Sequence, residues 1–311
     1  MNYAPILIPT LNRYNHLKRC VESLAKCTHA DKTDLFIALD YPLKEEHWEG
    51  YRKIKEYVSN IDGFNTVTII QRDHNYGPVE NFFNAQNQIY EKYDRIIYSE
   101  DDNEFSPNFL DYINKGLDRY EEDPKIIAIC GDGGIFKPPV NYNANYIIRK
   151  GFSAWGYGTW FHKKYKMIYS TEELKSFLKK KDMRKWLKFY SKNHYYTVLA
   201  HIMNKKPIWG DGAIVVDMIV QDTFCVYPTK SLVRNYGHDG SGVHGGYIQD
   251  SPYAKVEIDN RPTFDYIGEA PVNDPRYVQL LRDYCRMPWQ RIIKFWIRAF
   301  MSPRKIKNLF L

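Results

Sequence analysis

Short apolar runs alternate with amphipathic stretches through the first 130 residues. Ala4 to Ile8 is continuous and apolar, and Pro9-Thr10-Leu11-Asn12-Arg13 ends it. Leu17, Val21 and Leu24 then recur at helical spacing. Leu35 to Leu39 is a second apolar run, closed by Asp40-Tyr41-Pro42, and a charged helix is predicted over 44–59. Thr66 to Ile70 is β-branched and strand-like. Asn75-Tyr76-Gly77-Pro78 is a turn that opens a helix over 79–92, and Arg95 to Ser99 is a fourth strand. Ser106-Pro107 reads as an N-cap followed by the first residue of a helix through Tyr120, and Lys125 to Cys130 is a fifth strand.

Strands separated by helices of this length predict an α/β fold with a mostly parallel sheet and helices on both faces. In such sheets, polar residues that close the strands gather along one edge, where ligands bind. Asn12, Asp40 and the run Glu100-Asp101-Asp102 all fall at strand ends. After residue 140 the rhythm changes. Gly151 to Tyr165 is rich in Gly and Trp, helical stretches are predicted near 171–180 and 183–204, and Phe224 to Tyr227 is a short strand. Asn235 to Gly246 is a glycine-rich loop. The expected organisation is one catalytic domain over 1–285, with a nucleotide-binding half (1–140) and an acceptor-binding half (141–285), followed by a basic tail over 286–311.

Composition adds partners to this picture. The chain has 311 residues, a net charge of +7, and 26 Tyr, 16 Phe and 7 Trp, a supply of rings suited to stacking on sugars or bases. The positive balance suits an anionic partner. The five cysteines lack CxxC spacing, which argues for a reducing compartment rather than a disulfide framework or a zinc knuckle. No signal peptide and no run of 18 apolar residues is read, so the expected location is cytoplasmic.

The acidic run suggests a specific chemistry. When a sugar leaves a nucleoside diphosphate, charge grows on the pyrophosphate and needs a cation against it. Mg²⁺ or Mn²⁺ supplies that charge and prefers carboxylate oxygens. Asp102 is the candidate metal ligand, with Glu100 and Asp101 accepting hydrogen bonds from sugar or ribose hydroxyls. Three anions at one strand end repel one another unless a cation joins them. Trp155 and Tyr157 are candidates for an acceptor platform, and Trp160 is equally suited to core packing. The glycine-rich loop suits a lid that excludes water, with His244, and less so His238, reaching the donor or the metal.

The stretch IIYSEDDNEFSPNFLDYI, residues 96–113, resembles the corresponding segment of the N-acetylglucosaminyltransferase I family and its bacterial relatives. Supporting blocks are Asn12-Arg13, Asp40, Asn75-Tyr76-Gly77, SAWGYGTW at 153–160 and YPTKSLVRNYGHDGSGVH at 227–244. The resemblance implies a GT-A fold and an inverting, metal-dependent transfer from a UDP-sugar. The acceptor it implies is a glycan or lipid-linked molecule, and the setting is bacterial surface polysaccharide synthesis. It also implies that Asn12, Arg13 and Asp40 line the uridine and ribose pocket. Its catalytic base falls on Asp211, in Trp209-Gly210-Asp211-Gly212. Relatives often place a Trp soon after that acid, whereas Gly212 and Ala213 follow here, so Asp217 is the alternative.

Other classes fit less well. A nucleotidylyltransferase should carry a Gly-rich loop after the first strand, and Ile6 to Asn15 contains no glycine. A non-catalytic nucleotide-sugar or carbohydrate-binding module would keep the acidic run without a base. Nucleic acid is not an expected partner, because the basic residues are not interleaved along the catalytic half. They gather at the C-terminus. Trp289, Ile292, Ile293, Trp296, Ile297 and Phe300 repeat at helical spacing, with Arg291, Lys294 and Arg298 opposite them. That pattern predicts a helix lying on an anionic membrane surface, peripheral at the inner face of the cell membrane.

Overall fold

The computed structural model describes residues 2–135, 137–242, 247–284 and 286–309. The chain forms two compact units that do not follow chain order. Residues 1–147, 153–163 and 226–270 make the first, and 148–152, 164–225 and 271–311 make the second. Strands are β1 (Ile6–Thr10), β2 (Asp34–Leu39), β3 (Thr66–Gln71), β4 (Arg95–Tyr98), β5 (Asn103–Phe105) and β6 (Ile126–Cys130). They continue with β7 (Tyr146–Arg149), β8 (Tyr157–Trp160), β9 (Ile168–Tyr169), β10 (Ile208–Trp209), β11 (Phe224–Pro228) and β12 (Val233–Asn235). Helices α1 (Tyr14–Leu24), α2 (Trp48–Val58), α3 (Gly77–Tyr90) and α4 (Phe109–Tyr120) alternate with the early strands. Later helices are α5 (Thr171–Lys179), α6 (Lys181–Tyr190), α7 (Lys192–Met203), α8 (Asp211–Gln221), α9 (Pro252–Lys255), α10 (Pro275–Tyr284), α11 (Trp289–Phe300) and α12 (Pro303–Lys307).

The main sheet runs β3-β2-β1-β4-β8-β6-β11-β7, and the chain passes between the units within β7 and β11. β3, β2, β1 and β4 run parallel to one another. The apolar runs of β1, β2 and β4 are continuous and mostly buried, the pattern of parallel strands covered on both faces. Helix α1 turns Leu17, Cys20, Val21 and Leu24 inward at one-face spacing, and all four are buried. The mixed α/β arrangement with a large, mostly parallel sheet is the GT-A type that the sequence predicts.

β8 departs from the sequence reading. It enters the middle of the sheet antiparallel to both β4 and β6, with Tyr157 opposite Tyr98 and Cys130. Four residues, one of them glycine, carry too little periodicity to announce a strand. Tyr157 is therefore a buried sheet residue, not part of an acceptor platform. Trp160 is also buried, which settles it as core.

The loop after β1 is wedged by helix α2. A Cβ on Gly50 would run into the main-chain carbonyl of Asn12. Gly50→Ala is expected to displace that loop, and overpacking of this kind costs about 1–3 kcal/mol. Thermal melting should fall by several degrees, and an unchanged melting temperature would mean that α2 does not press on the Asn12 loop.

The second unit is mainly helical. Leu174, Phe177, Leu187, Val198, Ile202 and Val216 belong to its buried cluster. The helix predicted over 183–204 is two helices, because Ser191 stops α6 and caps α7 by accepting from His194 N. The basic tail belongs to this unit. Tyr196 packs its ring edge-on against Phe295 at 5.0 Å, Asn308 donates to the Met203 carbonyl at 2.9 Å, and Leu309 lies against the buried cluster. Among the described residues, no helix is long and apolar enough to cross a membrane.

Candidate active site

Parallel register brings the site together. Leu7 of β1 pairs with Tyr98 of β4, so Thr10 and Asp101, each three residues further on, meet beyond the sheet edge. Thr10 Oγ1 donates to Asp101 Oδ2 at 2.8 Å. On the other side Thr10 pairs with Leu39 of β2, and Asp40 N donates to the Thr10 carbonyl at 2.9 Å. Asp40 is buried and accepts from Tyr41 N and Tyr76 N, both at 2.8 Å, with the Asn75 amide 3.4 Å from its other oxygen. The Asn75-Tyr76-Gly77 turn is thus pinned to the end of β2.

At the centre lie Asp101 and Asp102, both buried, with the guanidinium of Arg13 across them. Arg13 donates to both oxygens of Asp101 and to Asp102 Oδ2 at 2.8 Å. Burial works against the guanidinium's charge, but the two carboxylates outweigh it and raise its pKa. Burial also pushes the Asp101 carboxyl above the ordinary carboxylate range, while Arg13 and Thr10 pull it down. The sequence reading set Arg13 in a nucleoside pocket; in the structure it is the counter-cation of the acidic pair.

The rest of the enclosure comes from far along the chain. β12 pairs antiparallel with β5, setting Asn235 opposite Asn103. Asn235 Nδ2 donates to Asp102 Oδ1 at 2.7 Å, and Tyr236 N donates to the Asp102 carbonyl at 2.8 Å. Gly237 lies so close that a Cβ there would run into the Asp102 carboxylate. The start of the glycine-rich loop is therefore a fixed wall of the site rather than a lid. His238 continues it and stacks on Tyr253 at 4.9 Å, and Trp155 stands edge-on to both rings. Trp155 is half-buried beside this wall. Gly237→Ala is expected to displace Asp102 and lower activity at least about tenfold with a modest loss of stability; full activity in that variant would remove Gly237 from the site.

The remaining predicted residues divide clearly. Asn12 is partly exposed in the loop between Thr10 and Arg13. Glu100 is partly exposed, and its carbonyl accepts from Ser99 Oγ at 2.7 Å. His244 lies outside the described residues. Asp211 and Asp217 belong to the second unit. Asp211 is the exposed first residue of α8. Asp217 is buried and accepts from Lys166 N at 3.0 Å, Tyr169 OH at 2.7 Å and the Gln221 amide. These three bonds brace β9 and α8 around it.

The acidic pair suits a hard cation. It already holds one positive group, and its donors are carboxylate oxygens. Among the described residues, no group of three His, Cys, Asp or Glu side chains could hold a metal by itself. An ion here would share protein carboxylates with oxygens of a bound ligand, the mode Mg²⁺ uses with phosphates.

No curated protein matches the chain. Among solved structures, it is similar to S. aureus TarS at 14% identity, covering 45% of this chain and 23% of that one, with a TM-score of 0.32. It is similar to the mannosyltransferase PcManGT from Pyrobaculum calidifontis, in complex with GDP-Man and Mn²⁺, at 12% identity, 50% and 44% coverage and a TM-score of 0.34. Mouse xyloside xylosyltransferase 1 is similar at 12% identity, 70% and 80% coverage and a TM-score of 0.35. The chain spans less than half the length of the first two of these. The family model for glycosyl transferase family 2 matches residues 6–199, more than half of the sequence. The chain belongs to glycosyl transferase family 2.

Proposed function

We propose that the chain is an inverting transferase that moves a hexosyl or N-acetylhexosaminyl group from a UDP-sugar to a hydroxyl of a glycan or lipid-linked acceptor. The setting proposed is bacterial surface polysaccharide synthesis. The observation that carries this reading is the buried Asp101–Asp102 pair beyond the end of β4, whose two carboxylates share the single cation Arg13. Such a pair is costly to bury without a cation and well suited to exchange one cation for another. Bound Mn²⁺ or Mg²⁺ would supply positive charge for the departing pyrophosphate.

The chain's own residues take the other tasks. Asp102 would hold the ion, and Arg13 would face the donor. Asn12 and Asp40, beside Thr10 at the same edge, receive the nucleoside, and Glu100 and Asp101 accept from hydroxyls. Trp155 offers a ring face to a sugar. Asp211, exposed at the start of α8, takes the proton from the acceptor hydroxyl. The wall formed by Asn235 to Gly237 limits water at the acidic pair.

Thermal melting with a panel of UDP- and GDP-sugars, each with and without Mn²⁺, tests the donor. Stabilisation by UDP-sugars that needs the ion is expected. Equal stabilisation by GDP-sugars would overturn the choice of base, and none by any nucleotide-sugar would overturn the reading.

A further inference from the structure

The tail helix α11 has two apolar faces, and only one is used by the protein. Ile292, Phe295, Trp296 and Ala299 follow the i, i+3, i+4, i+7 spacing of one face, and each is partly or fully buried. Phe295 and Trp296 meet the ring of Tyr196. Trp289, Ile293, Ile297 and Phe300, at i, i+4, i+8 and i+11, form a neighbouring stripe. Their exposures run from 47% to 68%, and Met301 extends the stripe. Scattered exposed apolar side chains need no explanation, but five along one helix do.

Lys294 borders this stripe on the side away from the docked face, Arg298 and Arg291 follow further round the helix, and all three are exposed. Arg304, Lys305 and Lys307 follow in α12, and no acid occurs after Asp283. We infer that the Trp289–Ile293–Ile297–Phe300 stripe of α11 docks on a lipid bilayer surface carrying anionic headgroups, with the exposed cations of the same helix, Lys294 nearest, drawn to those headgroups. Apolar side chains enter the boundary between headgroup and acyl chain, a tryptophan is well placed at that level, and long basic side chains reach back to the charged layer. A second copy of the chain is a poorer occupant, because a two-fold contact across the stripe would set the same cations against one another. The inference does not depend on the transfer reaction.

Because Ala299, Asn308 and Leu309 are packed into the second unit, deleting the tail would damage the fold. Exposed-face variants are the appropriate test. Full-length chain is sedimented with vesicles of phosphatidylcholine alone and of phosphatidylcholine with phosphatidylglycerol. The chain should bind the anionic vesicles at least about tenfold more strongly, and salt should weaken that binding. Ile293→Ser/Ile297→Ser/Phe300→Ser should abolish sedimentation while melting as the parent does. Arg291→Gln/Lys294→Gln/Arg298→Gln should remove the preference for anionic vesicles, at about fivefold per cation; it decides the matter if the serine variant unfolds. Parent chain that stays in the supernatant, or a folded serine variant that still sediments, overturns the inference. So does a vesicle-free dimer that the serine changes convert to monomer, which would make the stripe a contact between copies.

Discussion

Asp102→Asn is expected to lower sugar transfer by at least about 10²–10³-fold, the range lost when one preorganised charge-stabilising group is removed from a transition state. The substitution takes away the proposed ion ligand and one of the two anions that hold Arg13. Arg13 keeps its contacts with Asp101, and an asparagine oxygen can still accept from the Asn235 amide. The loss in folding stability should therefore be no larger than that of one hydrogen bond to a charged group, about 1.5–3 kcal/mol. Circular dichroism and melting separate the two effects. A folded variant whose transfer rate matches the parent would remove Asp102 from the chemistry.

Exchange of Asp211 and Asp217 should give opposite results. Asp211 is exposed at the first turn of α8. Asp211→Asn should cut turnover by about 10²–10⁴-fold, the usual contribution of a general base, with donor affinity nearly unchanged. Asp217→Asn can keep its oxygen on Lys166 N and the Gln221 amide and turn its N–H toward Tyr169 OH, which loses the carboxylate it now donates to. Loss of hydrogen bonds to a charged group costs about 1.5–3 kcal/mol, so melting should fall while the folded fraction still turns over. The pKa of Tyr169 is raised by its burial and by Asp217, so the phenol stays protonated and able to donate through neutral pH. A dead but stable Asp217→Asn chain beside an active Asp211→Asn chain would reverse these assignments.

Much of the fold was readable because its signals are local. β1, β2 and β4 are continuous apolar runs, and α1 carries its buried residues at one-face spacing. α8 was missed for the opposite reason. Ala213 to Ile219 is buried on every side, so no polar face marks a period. β8 is four residues long, and its place between β4 and β6 depends on partners that no short window contains. β5 and β12 are too short to signal at all, and they pair across more than a hundred residues.

The site was legible to the same depth. Acids closing apolar strands marked Asp40, Asp101 and Asp102, since parallel strands deliver their ends to one edge. Two things were not legible. Arg13 follows the first strand and was read as a ligand contact, but the side-chain reach that lets it bridge two carboxylates is a matter of tertiary geometry. Asn235 and Gly237 stood in a glycine-rich segment whose composition suggested mobility. Their roles come from the β12–β5 pairing, which places them on Asp102.

A divalent ion and a nucleotide-sugar are expected to bind together at the Asp101–Asp102 pair. Calorimetric titration of UDP into the full chain, with Mn²⁺ and then with a chelator in its place, tests this directly. The predicted result is binding that requires the ion in the parent chain and is lost in folded Asp102→Asn. Equal affinity with ion and chelator, or between parent and variant, would contradict it.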